Sequence, residues 1–281
     1  MGHPTKGITV CTPYFGREEK LRELLESVPP GIDKVLIADN SKSRFDRTDE
    51  FKLDIEVMNL SFDCGIGKCR NEMAKNTDTE YMLVVDSDME IPDNWETLHH
   101  ILDSKPHLGG VSGGLFEHGR FRLGAIDFHD VRGTLVQSYN DVKTELVDGI
   151  PVFYTDKISQ NALVRTKTTE TYNWDPHSGN REHLDFFLGH KREGKWTWAA
   201  CPTVVFKHKT GGSQRYEDKR DEDFNTNYIL EKFGYENMSL GRTEIFDTRT
   251  RPLHEEIGKQ MYTRFPMEYT VPIKLTMERM L

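Results

Sequence analysis

The sequence predicts an α/β fold, a mostly parallel sheet flanked by helices with an added antiparallel portion and a C-terminal helical extension. Three observations carry this expectation. Short apolar runs of strand length alternate with helical segments over the first hundred residues, which implies parallel strands joined by crossover helices. One of these runs, Tyr81 to Val85, is uniformly apolar and stops abruptly at Asp86-Ser87-Asp88, as a strand buried on both faces and ended by a turn should. Beyond Trp95 the pattern changes to paired glycines and alternating segments, the signature of antiparallel sheet.

Taken in order, Ile8 to Pro13 reads as the first strand and Arg17 to Ser27 as a helix with Leu21, Leu24, Leu25 and Val28 on one side, stopped by Pro29-Pro30-Gly31. Val35 to Ala38 is the second strand, ending in Asp39-Asn40-Ser41, and Ile55 to Met58 the third. Gly65-Ile66-Gly67 opens a helix running from Lys68 to Lys75. After the Asp86-Ser87-Asp88 strand come a short strand around Gly109-Gly110 and Gly113-Gly114, alternating segments near Phe121 to Phe128 and Thr134 to Tyr139, and a strand at Asn161 to Arg165. Thr169 to Asn180 is expected to be loop, and Arg181 to Arg192 helix, with Glu182 and Asp185 three apart on one face. Thr203 to Phe206 is the next strand, leading into Lys207-His208-Lys209, and Asp223 to Phe233 a further helix. The simplest division is a catalytic domain over 1–209 and an extension over 210–281 packed on it.

Composition narrows the function classes. With 37 Lys plus Arg against 46 Asp plus Glu, the net charge of -9 argues against nucleic-acid binding through phosphate contacts. Cys11, Cys64, Cys69 and Cys201 form no Cys-x-x-Cys pair, so neither structural zinc nor a disulfide framework is indicated, and reduced thiols in a cytoplasmic protein are expected. No apolar stretch approaches the roughly 20 residues of a membrane span. Met261 to Met267 mixes apolar and basic residues, so peripheral membrane contact stays open beside packing of the extension on the catalytic domain.

Two carboxylates as close as Asp86 and Asp88 at a strand's carboxyl end suit a hard divalent cation. The same residues also serve as turn and N-cap groups. Taken by themselves, Lys68 and Arg70 suit a solvated helix face and His208 a surface turn.

The ordered set, a Pro-containing loop after strand one, an aspartate ending strand two, the Gly-x-Gly helix start, the paired aspartates, and a late acidic helix followed by a histidine, resembles the family-2-like glycosyltransferases of the GT-A fold from about Ile8 to Lys209. The resemblance implies an inverting enzyme that transfers a hexosyl group from a UDP-sugar to a hydroxyl of a glycan or glycoconjugate, with Mn²⁺ or Mg²⁺. It puts Thr12, Pro13, Tyr14 and Arg17 beside the nucleotide, and Asp39 against the base edge with Asn40 and Ser41 near it. Gly65, Lys68, Arg70 and Asn71 then border the diphosphate and ribose. Asp86 and Ser87 join the donor site, Asp86, Asp88 and His208 the metal shell. The stretch Arg181 to Phe187 resembles the acidic motif that supplies the base, but His183 stands where the usual aspartate would; Asp185 is favoured as base, with Glu182 orienting the acceptor and His183 the competitor. Trp174, Trp196 and Trp198 are candidates to stack on a sugar face, although aromatic residues more often pack in the core. A sugar-phosphate nucleotidyltransferase is disfavoured because Thr12 to Arg17 holds a single glycine, and a non-catalytic sugar-binding protein stays open because of His183.

Overall fold

The computed structural model describes residues 5–117, 120–138, 143–209, 211 and 224–240. The extension's remainder, including Met261 to Met267, lies outside the described residues. In chain order the elements are β1 (Thr5–Tyr14), α1 (Glu18–Glu26), β2 (Lys34–Asp39), β3 (Ile55–Asn59), α2 (Ile66–Asn76), β4 (Thr79–Val84), β5 (Met89–Glu90), α3 (Glu96–Ser104) and β6 (Leu108–Glu117). There follow β7 (Arg120–Arg122), β8 (Asp127–Val131), β9 (Thr134–Ser138), β10 (Lys143–Val147), β11 (Ile150–Thr155), β12 (Ala162–Arg165), α4 (Thr168–Thr171), α5 (Glu182–Glu193), β13 (Thr197–His208), a last helix Phe224–Phe233 and β14 (Asn237–Leu240).

The main sheet runs β10-β11-β13-β6-β12-β4-β1-β2-β3, with β5 on β13 and β7 on β6. Along its main path β3, β2, β1, β4, β6, β13 and β10 point one way, and β12 and β11 the other. The expected parallel half with an antiparallel addition is therefore what forms. Two expectations are corrected. The glycine-rich strand is not short, because β6 spans ten residues between β12 and β13. The segments at 127–131 and 134–138 do not extend the main sheet but pair with each other and with β14 in a separate three-stranded sheet.

Strand β4 shows why the sheet is buried on both sides. Met82 and Val84 face a core with Cys69 and Met73 of α2 and Phe186 of α5, whereas Tyr81, Leu83 and Val85 face one with Leu21, Leu24 and Leu25 of α1 and Leu98 and Ile101 of α3. Side chains alternate across a strand, so a continuous apolar run is what two covered faces require. Each fully buried side chain of this kind stabilises by about 1.5–3 kcal/mol. In α1 the spacing of Leu21, Leu24 and Leu25 makes one apolar stripe, and Glu18 and Glu19 complement the helix N-terminus.

Strand β6 reaches its neighbours by lacking side chains. A Cβ on Gly110 would lie 2.9 Å from the Trp198 ring, one on Gly113 2.8 Å from the Phe206 ring, and one on Gly114 2.3 Å from the Phe121 ring. The rings occupy the volume the glycines leave.

Candidate functional site

The carboxyl ends of β1, β2 and β4 open side by side, because parallel register places Tyr14 opposite Asp39 and Cys11 opposite Val84. The chain leaves β4 through Val85, whose N–H donates to the Cys11 carbonyl, and Asp86-Ser87-Asp88 follows. Next, β5 pairs antiparallel with the end of β13, setting Met89 opposite His208, and the Lys209 N–H donates to the Asp88 carbonyl at 2.8 Å. Backbone pairing thus brings residue 208 to residue 88.

Asp88 is buried, 3 % exposed. Its Oδ2 accepts from Arg17 Nη1 at 2.6 Å, and its Oδ1 lies 3.5 Å from His208 Nε2 with no hydrogen-bond partner. Burial alone would raise the Asp88 pKa, but His208 and Arg17 outweigh it and hold the carboxyl below its ordinary value. On the other side of the imidazole, Nδ1–H donates to Glu117 Oε2 at 2.6 Å, and Glu117 is also paired with Arg122 at 2.7 Å. Desolvation would lower the His208 pKa, yet the Asp88 and Glu117 carboxylates raise it.

Asp86 faces elsewhere. Its Oδ1 accepts from Arg70 Nη2 at 2.7 Å, while Arg70 Nη1 donates to Glu182 Oε1 at 2.9 Å and lies 3.4 Å from His183 Nε2. Gln160 Nε2 also donates to Glu182 Oε1, at 2.9 Å. Arg70 is 1 % exposed and ties α2 to the end of β4 and the start of α5. Burial raises the Glu182 pKa against the pull of Arg70, and Asp86 adds to the rise. The His183 ring is held well below an ordinary histidine by desolvation, by Arg70 and by Lys157, so it is neutral at neutral pH.

The start of α2 explains both glycines of Gly65-Ile66-Gly67. Gly65 is the residue before the helix, with φ +88°, and a Cβ on Gly67 would lie 2.6 Å from the Asp175 carbonyl and 2.7 Å from Ser178 Oγ. The second glycine therefore admits the loop that leads into α5.

Of the expected nucleotide contacts, Thr12 is fully buried at the end of β1 and its hydroxyl has no hydrogen-bond partner. Pro13 pairs with Ala38 in the sheet, and the buried Tyr14 packs edge-on to Phe45. Ser87 is buried between the two aspartates. Four residues are turned to other tasks. Asp39 is fully buried, and its carboxylate accepts from Ser41 N–H (2.8 Å), Ser41 Oγ (2.6 Å) and Phe45 N–H (2.8 Å), so it holds the 41–45 loop and presents no face to a base edge. Asn40 backbone groups tie this loop to Tyr14 and to Asp63. Lys68 pairs along its own helix with Glu72 at 2.7 Å, and Asn71 Nδ2 donates to the Trp174 carbonyl at 2.6 Å.

The expectation of a joint role for Glu182 and Asp185 is corrected. Asp185 is fully buried, and its Oδ1 accepts from Lys232 Nζ at 2.6 Å and from the Tyr172 hydroxyl at 3.1 Å. Although helical spacing makes the two acids neighbours, Glu182 reaches Arg70 while Asp185 meets Lys232 of the last helix. Desolvation raises the Asp185 pKa against Lys232. Trp174 and Trp198 are core residues packed on Phe186, stacked at 4.1 Å and edge-on at 5.5 Å, which removes them as sugar platforms; Trp196 Nε1 donates to Thr171 Oγ1. The segment expected to be loop contains α4.

Sequence reasoning missed Glu117, Gln160 and Lys232. Glu117 ends a glycine-rich strand and nothing local marks it; Gln160 and Lys232 acquire their places through long-range packing.

A divalent cation fits part of the expected set. A histidine whose Nδ1–H is held by a carboxylate presents Nε2 as a ligand, and the buried Asp88 Oδ1 beside it lacks a hydrogen-bond partner. Asp86 does not join them, because Arg70 takes it, and among the described residues no group of three or more His, Cys, Asp or Glu side chains is arranged around a common point. Asp88 and His208 would supply two ligands and leave the other positions to oxygens of a bound molecule.

Residues 9–106 match the family described as Glycosyl transferase family 2. That segment runs from β1 to α3 and contains Arg70, Asp86 and Asp88, but not His183 or His208. Among solved structures, GalNAc-T7 with UDP, GalNAc and Mn²⁺ is similar over 72% of this chain, at 11% identity and a TM-score of 0.54. The match covers 43% of that chain, so the present sequence spans less than half of its length. S. aureus TarS 1-349 is similar over 97% of this chain and 90% of its own, at 14% identity and a TM-score of 0.49. No curated protein matches.

Proposed function

We propose that this chain, a family-2-like glycosyltransferase of the GT-A fold, is a metal-dependent inverting enzyme that moves a hexosyl group from a UDP-sugar to a hydroxyl of a glycan or glycoconjugate. One observation carries the reading: at the carboxyl end of β4, inside the matched segment, Asp88 presents a buried oxygen without a hydrogen-bond partner toward His208 Nε2, with Glu117 behind the imidazole. The structural neighbour crystallised with UDP, GalNAc and Mn²⁺ supports the same cofactor and donor class.

When bound, Mn²⁺ or Mg²⁺ at Asp88 and His208 supplies positive charge to the departing diphosphate. Arg17, paired with Asp88, would be the cation beside the same anion. Arg70 fixes Asp86 and Glu182 in place. His183 takes the proton from the acceptor hydroxyl, whose oxygen then attacks the anomeric carbon opposite the diphosphate as the bond to that leaving group breaks. This reverses the preference for Asp185, whose oxygens serve Tyr172 and Lys232. The machinery lies within 1–209, and the last helix buttresses α5.

The test combines UDP release from a panel of UDP-sugars with calorimetry of UDP in the presence of Mn²⁺. Asp88→Ala is expected to abolish the metal-dependent part of UDP binding. His183→Ala is expected to lower transfer by about 10² or more with UDP affinity nearly intact. Failure of the wild-type protein to bind UDP with Mn²⁺ overturns the donor assignment; a His183→Ala variant with full transfer overturns the base.

A further inference from the structure

The two cysteines at the start of α2 stand outside the site chemistry above. Cys64 precedes the cap residue Gly65, and Cys69 is the fourth residue of the helix, positions whose side chains meet across the first turn when a helix is stapled by an apolar pair. Here the pair is two thiols, with the sulfurs 4.0 Å apart. Cys64 is half-buried and Cys69 fully buried.

We propose that Cys64 and Cys69 are a reversible dithiol, closed to a disulfide by a low-molecular-weight disulfide such as oxidised glutathione. The Cys64 thiolate attacks one sulfur of the oxidant, forming a mixed disulfide and releasing one glutathione thiolate. Cys69 then gives up its proton to solvent and attacks the Cys64 sulfur, forming the internal bond and releasing the second thiolate. Two protein thiols are oxidised and one external disulfide is reduced to two thiols.

The two positions divide the labour. The Cys69 hydrogen bond lowers the Cys64 pKa to about 7, leaving a substantial thiolate fraction at neutral pH, while contact with Cys64 and burial push Cys69 far up and keep oxidants from it. Closing the bond brings the sulfurs to about 2.05 Å. That draws the 62–64 segment onto α2, and Asp63, at φ +58°, is the residue whose N–H holds the Asn40 carbonyl after β2. The staple would therefore act on the loop beside the donor crevice. This consequence rests on the proposed function; the disulfide itself does not.

Trypsin separates the two cysteines, since Lys68 lies between them. After incubation of the full chain with oxidised glutathione and alkylation, the expected product is peptide 53–68 linked to Cys69-Arg70, lost on reduction and absent from Cys64→Ser and Cys69→Ser. Recovery of both cysteines as separately alkylated, or of Cys64 carrying only glutathione, overturns the proposal. The oxidised protein is also expected to bind UDP with Mn²⁺ about 5-fold more weakly than the reduced one, at the low end of coupling between sites. A linked but equally affine protein overturns the coupling, whereas absence of UDP binding in the reduced protein counts against the donor assignment and leaves the peptide result standing.

Discussion

Arg70→Met removes the cation that three elements share. Its guanidinium is 1 % exposed and bonded to Asp86 at 2.7 Å and Glu182 at 2.9 Å. The two partners differ in what they can recover. The Asp86 side chain is 28 % exposed and rehydrates, whereas Glu182 is 3 % exposed, keeps Gln160 as its hydrogen-bond donor with His183 Nε2 at 3.6 Å, and has its second oxygen without a hydrogen-bond partner. Leaving one charge of a buried pair alone costs about 3–5 kcal/mol, and nearly all of it should fall on Glu182. The sign with pH follows. Glu182 already has a raised pKa in the folded state, and losing Arg70 raises it further, so the folded protein holds its proton more tightly than the unfolded chain. Stability is then greatest below the unfolded carboxyl range and falls as pH rises toward the folded value. Urea unfolding at pH 5 and pH 8 should show a larger deficit for Arg70→Met at pH 8. Adding Glu182→Gln should restore part of the loss, a coupling of about 0.5–3 kcal/mol. A deficit under about 1 kcal/mol at pH 8, or one equal at both pH values, would refute the reasoning.

Glu117→Gln keeps the shape behind His208 but withdraws the charge; Mn²⁺ affinity is expected to drop about 10–100-fold by calorimetry, with UDP binding in the absence of metal unchanged. Gly67→Ala puts a methyl group 2.6 Å from the Asp175 carbonyl, and a loss of about 1–3 kcal/mol in denaturant unfolding is expected as the 175–178 loop is displaced. Asp185→Asn should lower stability through Lys232 while leaving transfer within a few-fold of wild type, and a loss of transfer near 10² with intact UDP affinity would return the base to Asp185. With His183 depressed, transfer should stay level as pH falls through about 6.5, where an ordinary histidine protonates, and a decline centred there would show that Arg70 and burial do not govern the ring.

The parallel half of the fold was legible because its signals are local. The continuous apolar run of β4 reports two covered faces, and the leucine spacing of α1 reports one. The pairing of Asp88 with His208 was anticipated only through resemblance, since more than a hundred residues separate them and backbone register joins them. What failed was direction. Helical spacing says that Glu182 and Asp185 are neighbours, but not that one meets Arg70 and the other Lys232 from the last helix. Similarly, Asp39 at a strand end looks available to a ligand until the backbone N–H groups of the next loop claim it. The hairpin of β10 and β11 turns at Asp148-Gly149, where both residues take a positive φ, a signal carried by two residues and not by the strand pattern.

The glycines of β6 also bear on how this sheet can change over time. Gly114 and Phe121 are a single volume written at two places in the sequence, so neither can drift alone, whereas a Cβ on Gly113 would meet the Val204 backbone carbonyl at 2.5 Å as well as the Phe206 ring. Alanine at 114 is tolerable only beside a smaller residue at 121, and shrinking Phe121 opens a void that alanine at 114 would partly fill. Substitutions at 114 and 121 should be strongly non-additive, with the double variant more stable than its two single variants predict. The middle of the sheet would then evolve in paired steps, while exposed positions such as Val131 and Leu146 are free to vary one at a time.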